Sequence, residues 1–304
     1  MGLTAIVLGA AAGGGFPQWN CNCDVCRLAW AGDARVRPRT QASLAVSSTG
    51  ERWTLLNASP DLRAQIQATS ALHPHGPDRN SPIATVVLTG AEIDQTAGLL
   101  SLRERSPFNL IGTAATLAAV ADNPMFGVLA ADVVSRRAVA PGERFSLDDG
   151  MSAELFMVPG KLPLYLEGQD FGESSDTASE TAANVGIEVS DGRARLVFVP
   201  GAAAVTPRLA ERFARADALL FDGTLYTDDE MVRSGTGTKT GRRMGHMPID
   251  GPGGSLAALD GLSGRRIFVH INNTNPILVD GSRERARVDA AGWEVAFDGM
   301  EIVL

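Results

Sequence analysis

Short apolar runs bounded by polar and glycine-rich stretches recur along the whole chain, and most are too short for anything but strands. They predict strands at Ala5–Leu8, Ala42–Ser47, Trp53–Leu56, Thr85–Leu88, Phe108–Ile111, Ser152–Val158, Val185–Val189, Leu196–Val199, Ala218–Phe221, Arg266–Val269, Trp293–Ala296 and Glu301–Leu304. Between them, helical spacing predicts helices at Pro60–Gln67, Ile93–Leu102, Ala114–Ala121, Pro207–Arg215 and Arg283–Ala291. Two helices carry clear end signals. Thr206 before Pro207 reads as an N-cap with proline in the first turn. Ser282 can cap the last helix, and Gly292 stands where a left-handed C-terminal residue is expected. Strand and helix patterns alternate throughout, so the expected class is layered α/β. The segment Gly168–Ala183 is small, acidic and polar. It reads as a mobile surface loop, either a solvated insertion or a flap over a site.

Composition narrows the class. The chain has 304 residues, 44% hydrophobic and 20% charged, which is enough to bury a sizeable core and is unlike a disordered chain. No apolar run approaches the roughly 18 residues of a spanning helix, and no basic segment followed by an apolar one opens the chain. A cytoplasmic protein without a membrane partner is expected. The formal net charge is −8, which disfavours a nucleic-acid partner, because phosphate backbones call for a basic surface.

The candidate chemistry is concentrated in a few motifs. All three cysteines lie within Cys21-Asn-Cys23-Asp-Val-Cys26. An odd, tight cluster is a poor disulfide framework, but three soft thiolates can converge on Zn²⁺, which wants a fourth ligand. A closed site of this kind is structural by default; three free buried thiols are the alternative. The preceding Gly9–Gly15 stretch does not match a dinucleotide fingerprint and reads as a tight turn with close backbone packing. After the strand at Thr85–Leu88 come Thr89, Ala91, Asp94 and Gln95; Asp94 either faces a ligand at the strand's carboxyl end or caps the next helix. Asp222 ends another apolar strand, in Phe-Asp222-Gly-Thr224. A glycine-rich loop carries Lys239, Arg242, Arg243 and His246. Its cations can pair substrate carboxylates, or it is an ordinary exposed basic loop. His270 follows a strand directly and precedes Asn272, Asn273 and Asn275, as a ligand or as a core histidine satisfied by the amides. His73 and His75 sit in a Pro/Gly/Asn-rich stretch and read as surface.

In this order, these pieces resemble the metallo-β-lactamase superfamily. The Cys21, Cys23, Cys26 segment and Phe297-Asp-Gly-Met-Glu-Ile302 resemble the branch containing the phosphonate-pathway cyclic phosphodiesterase. Gly13-Gly-Gly-Phe-Pro-Gln-Trp-Asn-Cys21, Leu-Asn57-Ala-Ser-Pro-Asp61, Phe-Asp222-Gly-Thr224, Gly237-Thr-Lys239-Thr-Gly241, Met-Gly-His246 and His270-Ile-Asn-Asn-Thr-Asn-Pro276 resemble a branch that serves pyrroloquinoline quinone biosynthesis. The resemblance spans nearly the whole chain. It implies one domain over residues 1–304, a four-layer αββα sandwich of two mixed sheets flanked by helices, with the zinc-binding segment at 20–27.

The departures from the superfamily bear on the chemistry. Its His-x-His-x-Asp-His signature falls on Thr89, Ala91, Asp94 and Gln95, so only the aspartate remains. Another metal histidine falls within Val158-Pro-Gly-Lys161, and the bridging aspartate within Phe198-Val-Pro-Gly201. With four histidines in the chain, a five-histidine dinuclear zinc site cannot be built, which argues against ordinary metal-dependent hydrolysis. His270 matches the final metal histidine. Two histidines and a carboxylate suffice for a mononuclear non-haem Fe(II) site that activates O₂. The expected set is Asp94, His270 and one of His246 or Asp222, with Gln95 a weak ligand where the resemblance implies histidine. His246 is the alternative acid/base. Lys239, Arg242 and Arg243 are expected to hold substrate carboxylates. The fourth zinc ligand of the related phosphodiesterase falls on Asn273 here. The resemblance implies an iron- and O₂-dependent hydroxylase of the tyrosine ring in a Glu–Tyr unit cut from a precursor peptide, or else a carrier of the finished quinone. A homodimer is one expected assembly.

Overall fold

The computed structural model describes residues 2–161 and 180–304. Its first half forms strands β1 (Thr4–Gly9), β2 (Ser43–Ser47), β3 (Trp53–Leu56), β4 (Ile83–Val87), β5 (Phe108–Gly112) and β6 (Val134–Ala138). The second half adds β7 (Arg144–Ser146), β8 (Ser152–Pro159), β9 (Glu180–Ser190), β10 (Arg195–Val199), β11 (Ala218–Asp222), β12 (Arg265–Val269), β13 (Glu294–Val295) and β14 (Glu301–Val303). Among the described residues these make two mixed sheets, ordered β14-β1-β2-β3-β4-β5-β6 and β13-β12-β11-β10-β9-β8-β7.

Both faces of the central strands are buried, which is why they read as continuous apolar runs rather than alternating ones. Side chains still alternate between two cores. In β1, Ala5 and Val7 enter the layer between the sheets, while Ile6 and Leu8 face the helices outside. In β11, Ala218 and Leu220 point inward and Leu219 and Phe221 outward. Helices α2 (Leu62–Ala68) and α4 (Ala114–Asp122) cover the first sheet through Leu62 and Val120. Helices α5 (Pro207–Phe213), α7 (Ser255–Ala258) and α8 (Arg283–Ala290) cover the second through Leu209, Phe213, Leu256 and Val288, and α6 (Glu230–Arg233) is a single turn between α5 and α7. The result is the expected four-layer αββα sandwich.

Thr206 caps α5 by accepting from the Leu209 N–H, and Ser282 caps α8 by accepting from the Arg285 N–H. Gly292 has φ +75°, in the left-handed region that favours glycine. Other expectations need correction. The helix expected over Ile93–Leu102 is one α-turn, α3 (Ile93–Thr96), followed by a 3₁₀ segment, Ala97–Leu102. A helix absent from the expected set, α1 (Asp24–Trp30), starts inside the Cys segment, with Cys23 as N-cap. Residues 180–183 open β9 instead of closing a loop, because Thr181 pairs with Val158 of β8. Residues 168–179 of that expected loop lie outside the described residues.

Strands β3 to β6 run parallel to one another, as do β10 to β13. The segments that follow β4, β10, β11 and β12 meet at one edge of the sandwich, where parallel α/β sheets place ligands.

Candidate metal and substrate site

Among the described residues, two groups of metal-ligating side chains bring their ligand atoms within 4.8 Å of one another: Cys21, Cys23 and Cys26, and Asp222, His246 and His270.

The thiols sit where the chain turns into α1. The Cys26 N–H points at the Cys23 sulfur, and Asn273 lies over the cluster with its Nδ2 3.0 Å from Cys21 Sγ and 3.3 Å from Cys26 Sγ. Turning that amide over presents its oxygen to the sulfurs instead. Burial, with help from the two neighbouring thiols, pushes the Cys23 thiol up to about 12. Three crowded thiols do not ionise together without a cation between them, which suits them to Zn²⁺.

In the second group Asp222 and His270 stand at strand ends, and His246 comes from the loop after Arg242–Met244. Asp222 closes β11 and is fully buried. Its carboxylate is saturated. Oδ1 accepts from the Thr224 N–H (3.0 Å) and the Thr224 hydroxyl (2.6 Å). Oδ2 accepts from the Ala202 N–H (2.8 Å) and from His246 Nδ1 (2.7 Å). With four donors on its two oxygens, Asp222 ties the site together, and its carboxylate also lies with His246 and His270 in the second ligand group. Burial pushes its carboxyl up, but the His246 charge and hydrogen bond outweigh this and hold it below the usual carboxylate value.

His270 follows β12 with φ +58°, a left-handed conformation that costs about 1–3 kcal/mol in a non-glycine residue. The Thr224 hydroxyl lies 3.0 Å from the His270 carbonyl and 2.8 Å from its Nδ1. On the far side of the ring, Nε2 meets Asp94 Oδ2 at 2.9 Å. Burial pushes Asp94 up and His270 down, yet their mutual attraction wins in both. Asp94 lies below its ordinary value and His270 above. A cation held here would take the place of the proton shared between His270 Nε2 and Asp94. The His246 ring stacks on His270 with centroids 5.3 Å apart. Gly245, preceding His246, has φ +84°, and a Cβ there would lie 2.7 Å from the Lys161 backbone.

Asp94 does not cap the helix it sits in. Glu92 is the N-cap of α3, and Gln95 completes a capping box by accepting from the Glu92 N–H at 3.2 Å. Gln95 is thus bonded back into the helix end while still lining the cavity beside Asp94. Thr89, at another lost imidazole, is buried and bonded through its N–H and hydroxyl to Asn57.

Asp94, His246, His270 and Thr224 share a cavity of about 560 Å³ with Lys239, Lys161, Asn184 and Asn272. Arg242 and Arg243 are exposed and do not line it. The Arg242 guanidinium donates to the Pro252 carbonyl at 2.9 Å, buttressing its own loop, so neither arginine is positioned to hold a ligand there. Lys161 and Thr224 were not among the expected site residues. The hydroxyl two residues after a buried strand-end acid was the available signal for Thr224. A second hollow of about 910 Å³ opens beside the thiols, with the buried Glu230 in its wall.

Comparisons with known proteins agree with this architecture. Residues 52–271 match the family model for a beta-lactamase superfamily domain. The chain is 55% identical over 300 residues to coenzyme PQQ synthesis protein B of Methylorubrum extorquens, covering 98% of this chain and 99% of that protein. It is 55% identical over 299 residues to the protein of the same name from Ruegeria pomeroyi, at 98% and 99% coverage. This chain belongs to the coenzyme PQQ synthesis protein B family. The crystal structure of Zn²⁺-bound PqqB from Methylobacterium extorquens superposes with a TM-score of 0.95 at 54% identity, covering 99% of this chain and all of that one. A diphosphatase of the PhnP family, at 18% identity, shares the fold, with a TM-score of 0.70. Among the described residues of this PqqB family member, no helix is long and apolar enough to cross a membrane.

Proposed function

We propose that this PqqB family member acts in pyrroloquinoline quinone biosynthesis as an iron- and O₂-dependent hydroxylase of the tyrosine ring in a Glu–Tyr unit derived from a peptide. Family membership supports the pathway. The chemistry rests on one observation: His270 Nε2 and Asp94 Oδ2 face each other at 2.9 Å in a cavity that also holds His246. Asp94, His270 and His246 make a two-histidine, one-carboxylate donor set, which suits Fe(II). Iron bound there would supply the activation of O₂. The protein's own groups do the rest. Lys239 and Lys161, in the cavity wall, pair with the substrate's carboxylates. Asp222 accepts from His246 Nδ1, so the other ring nitrogen, Nε2, is left to ligate or to move a ring proton. Cys21, Cys23 and Cys26 hold a structural Zn²⁺, with Asn273 over the fourth position.

Fe(II) reconstitution without air, followed by O₂-uptake measurements with a Glu–Tyr peptide, tests this reading. Substrate-dependent uptake is expected; iron bound at the site with no such uptake refutes it. One feature favours the carrier reading: the Gln95 amide oxygen is engaged in its capping box. That reading predicts saturable binding of the quinone with zinc at the thiols as the only metal.

A further inference from the structure

The Thr224 hydroxyl stands between the two halves of the site. Its oxygen lies 2.6 Å from Asp222 Oδ1, 2.8 Å from His270 Nδ1 and 3.1 Å from His246 Nδ1. A hydroxyl has one proton to give and two lone pairs with which to accept. Asp222 is the charged acceptor and the nearest, so the proton goes there. Donation to His270 instead would set the Asp222 and Thr224 oxygens lone pair against lone pair at 2.6 Å. His246 Nδ1 is nearer to Asp222, at 2.7 Å, and gives its own proton to that carboxylate. The Thr224 oxygen is then left as an acceptor facing His270 Nδ1.

We propose that Thr224 is the positioning residue of the candidate iron site: by accepting from His270 Nδ1–H, it leaves Nε2 as the ring's ligand atom, aimed at Asp94. This rests on the reading of Asp94 and His270 as metal ligands given above. Thr224 also sits beside the strained His270 backbone: the Thr224 carbonyl accepts from the Asn272 N–H at 3.0 Å, so the side chain that faces the ring is tied to the same turn. Outer-shell partners of this kind typically change metal affinity about 10–100-fold when removed.

Two measurements test it. In the metal-free wild type, ¹⁵N NMR of labelled histidine is expected to show His270 Nδ1 protonated, with a hydrogen-bonded proton. That signal should persist in Thr224→Ser and shift in Thr224→Val. An unprotonated Nδ1 in the wild type overturns the proposal and needs no variant to fold. In zinc or cobalt titrations of the second site, Thr224→Val is expected to bind about 10–100-fold more weakly, while Thr224→Ser stays close to wild type. Equal affinity in Thr224→Val and wild type also overturns it. If the wild type takes up no second ion, the iron reading fails, and the NMR result decides the hydrogen bond by itself.

Discussion

Replacing Asp222 by asparagine separates a carboxylate that holds the site together from one that binds metal. Four donors converge on its two oxygens, and an amide offers an acceptor on one side only. With the amide oxygen toward Ala202 and His246, the NH₂ faces the Thr224 N–H, and the Thr224 hydroxyl must reverse to accept from it. With the oxygen toward Thr224, the NH₂ faces the Ala202 N–H, and His246 must move its proton to the other ring nitrogen. Each orientation strands one buried backbone N–H, which costs about 1–3 kcal/mol, and loses charge-assisted bonds of about 1.5–3 kcal/mol. The metal-free Asp222→Asn protein should therefore be destabilised by about 3–5 kcal/mol, read as a lower urea midpoint at unchanged m-value. If Asp222 were chiefly a ligand, deleting its buried charge without metal would be neutral or stabilising. Stability within 1 kcal/mol of wild type would refute the reasoning.

Two further predictions concern single side chains. Burial pushes Glu230 up to about 7, against bonds from Thr274 and Tyr226 that favour its charged form. The folded protein then binds a proton more tightly than the unfolded chain. Stability from this group is present below the unfolded pKa, near 4.5, and is lost as pH rises to about 7, by up to about 3 kcal/mol. Glu230→Gln should flatten that slope in urea titrations between pH 5 and 8; an unchanged slope contradicts the assignment. Gln95→His gives up the capping box but supplies an imidazole beside Asp94, and it should tighten Fe(II) binding by about tenfold, close to 1.4 kcal/mol. Calorimetric titration showing no gain would mean that this position does not reach the metal.

The fold was legible wherever burial wrote it into the residues. β11, as Ala-Leu-Leu-Phe-Asp, is buried at every position and stands out as an apolar run. β6, as Val-Ser-Arg-Arg-Ala, buries only Val134, and β7 has three residues with only Phe145 buried, so neither carries a periodic signal. α1 was hidden because its first turn shares residues with the thiol cluster. In the site, strand-end position marked Asp222 and His270, and the turn beyond β4 marked Asp94, since the carboxyl ends of parallel strands converge. What the sequence could not carry was direction. The Gln95 capping box with Glu92, three residues before it, is local but begins with an acid in place of the usual hydroxyl; nothing local says that Asp222 spends both oxygens on donors, or that Lys239 turns into the cavity while Arg242 turns away. Those outcomes depend on partners up to tens of residues distant.

The metals the protein carries when purified without air separate the hydroxylase from the carrier most directly. Elemental analysis per chain, repeated on a Cys26→Ser variant and on a His270→Ala variant, should find one zinc and one iron in the wild type. The zinc should be lost in the first variant and the iron in the second. A single zinc in the wild type, with no iron taken up even on addition of Fe(II), would contradict the hydroxylase.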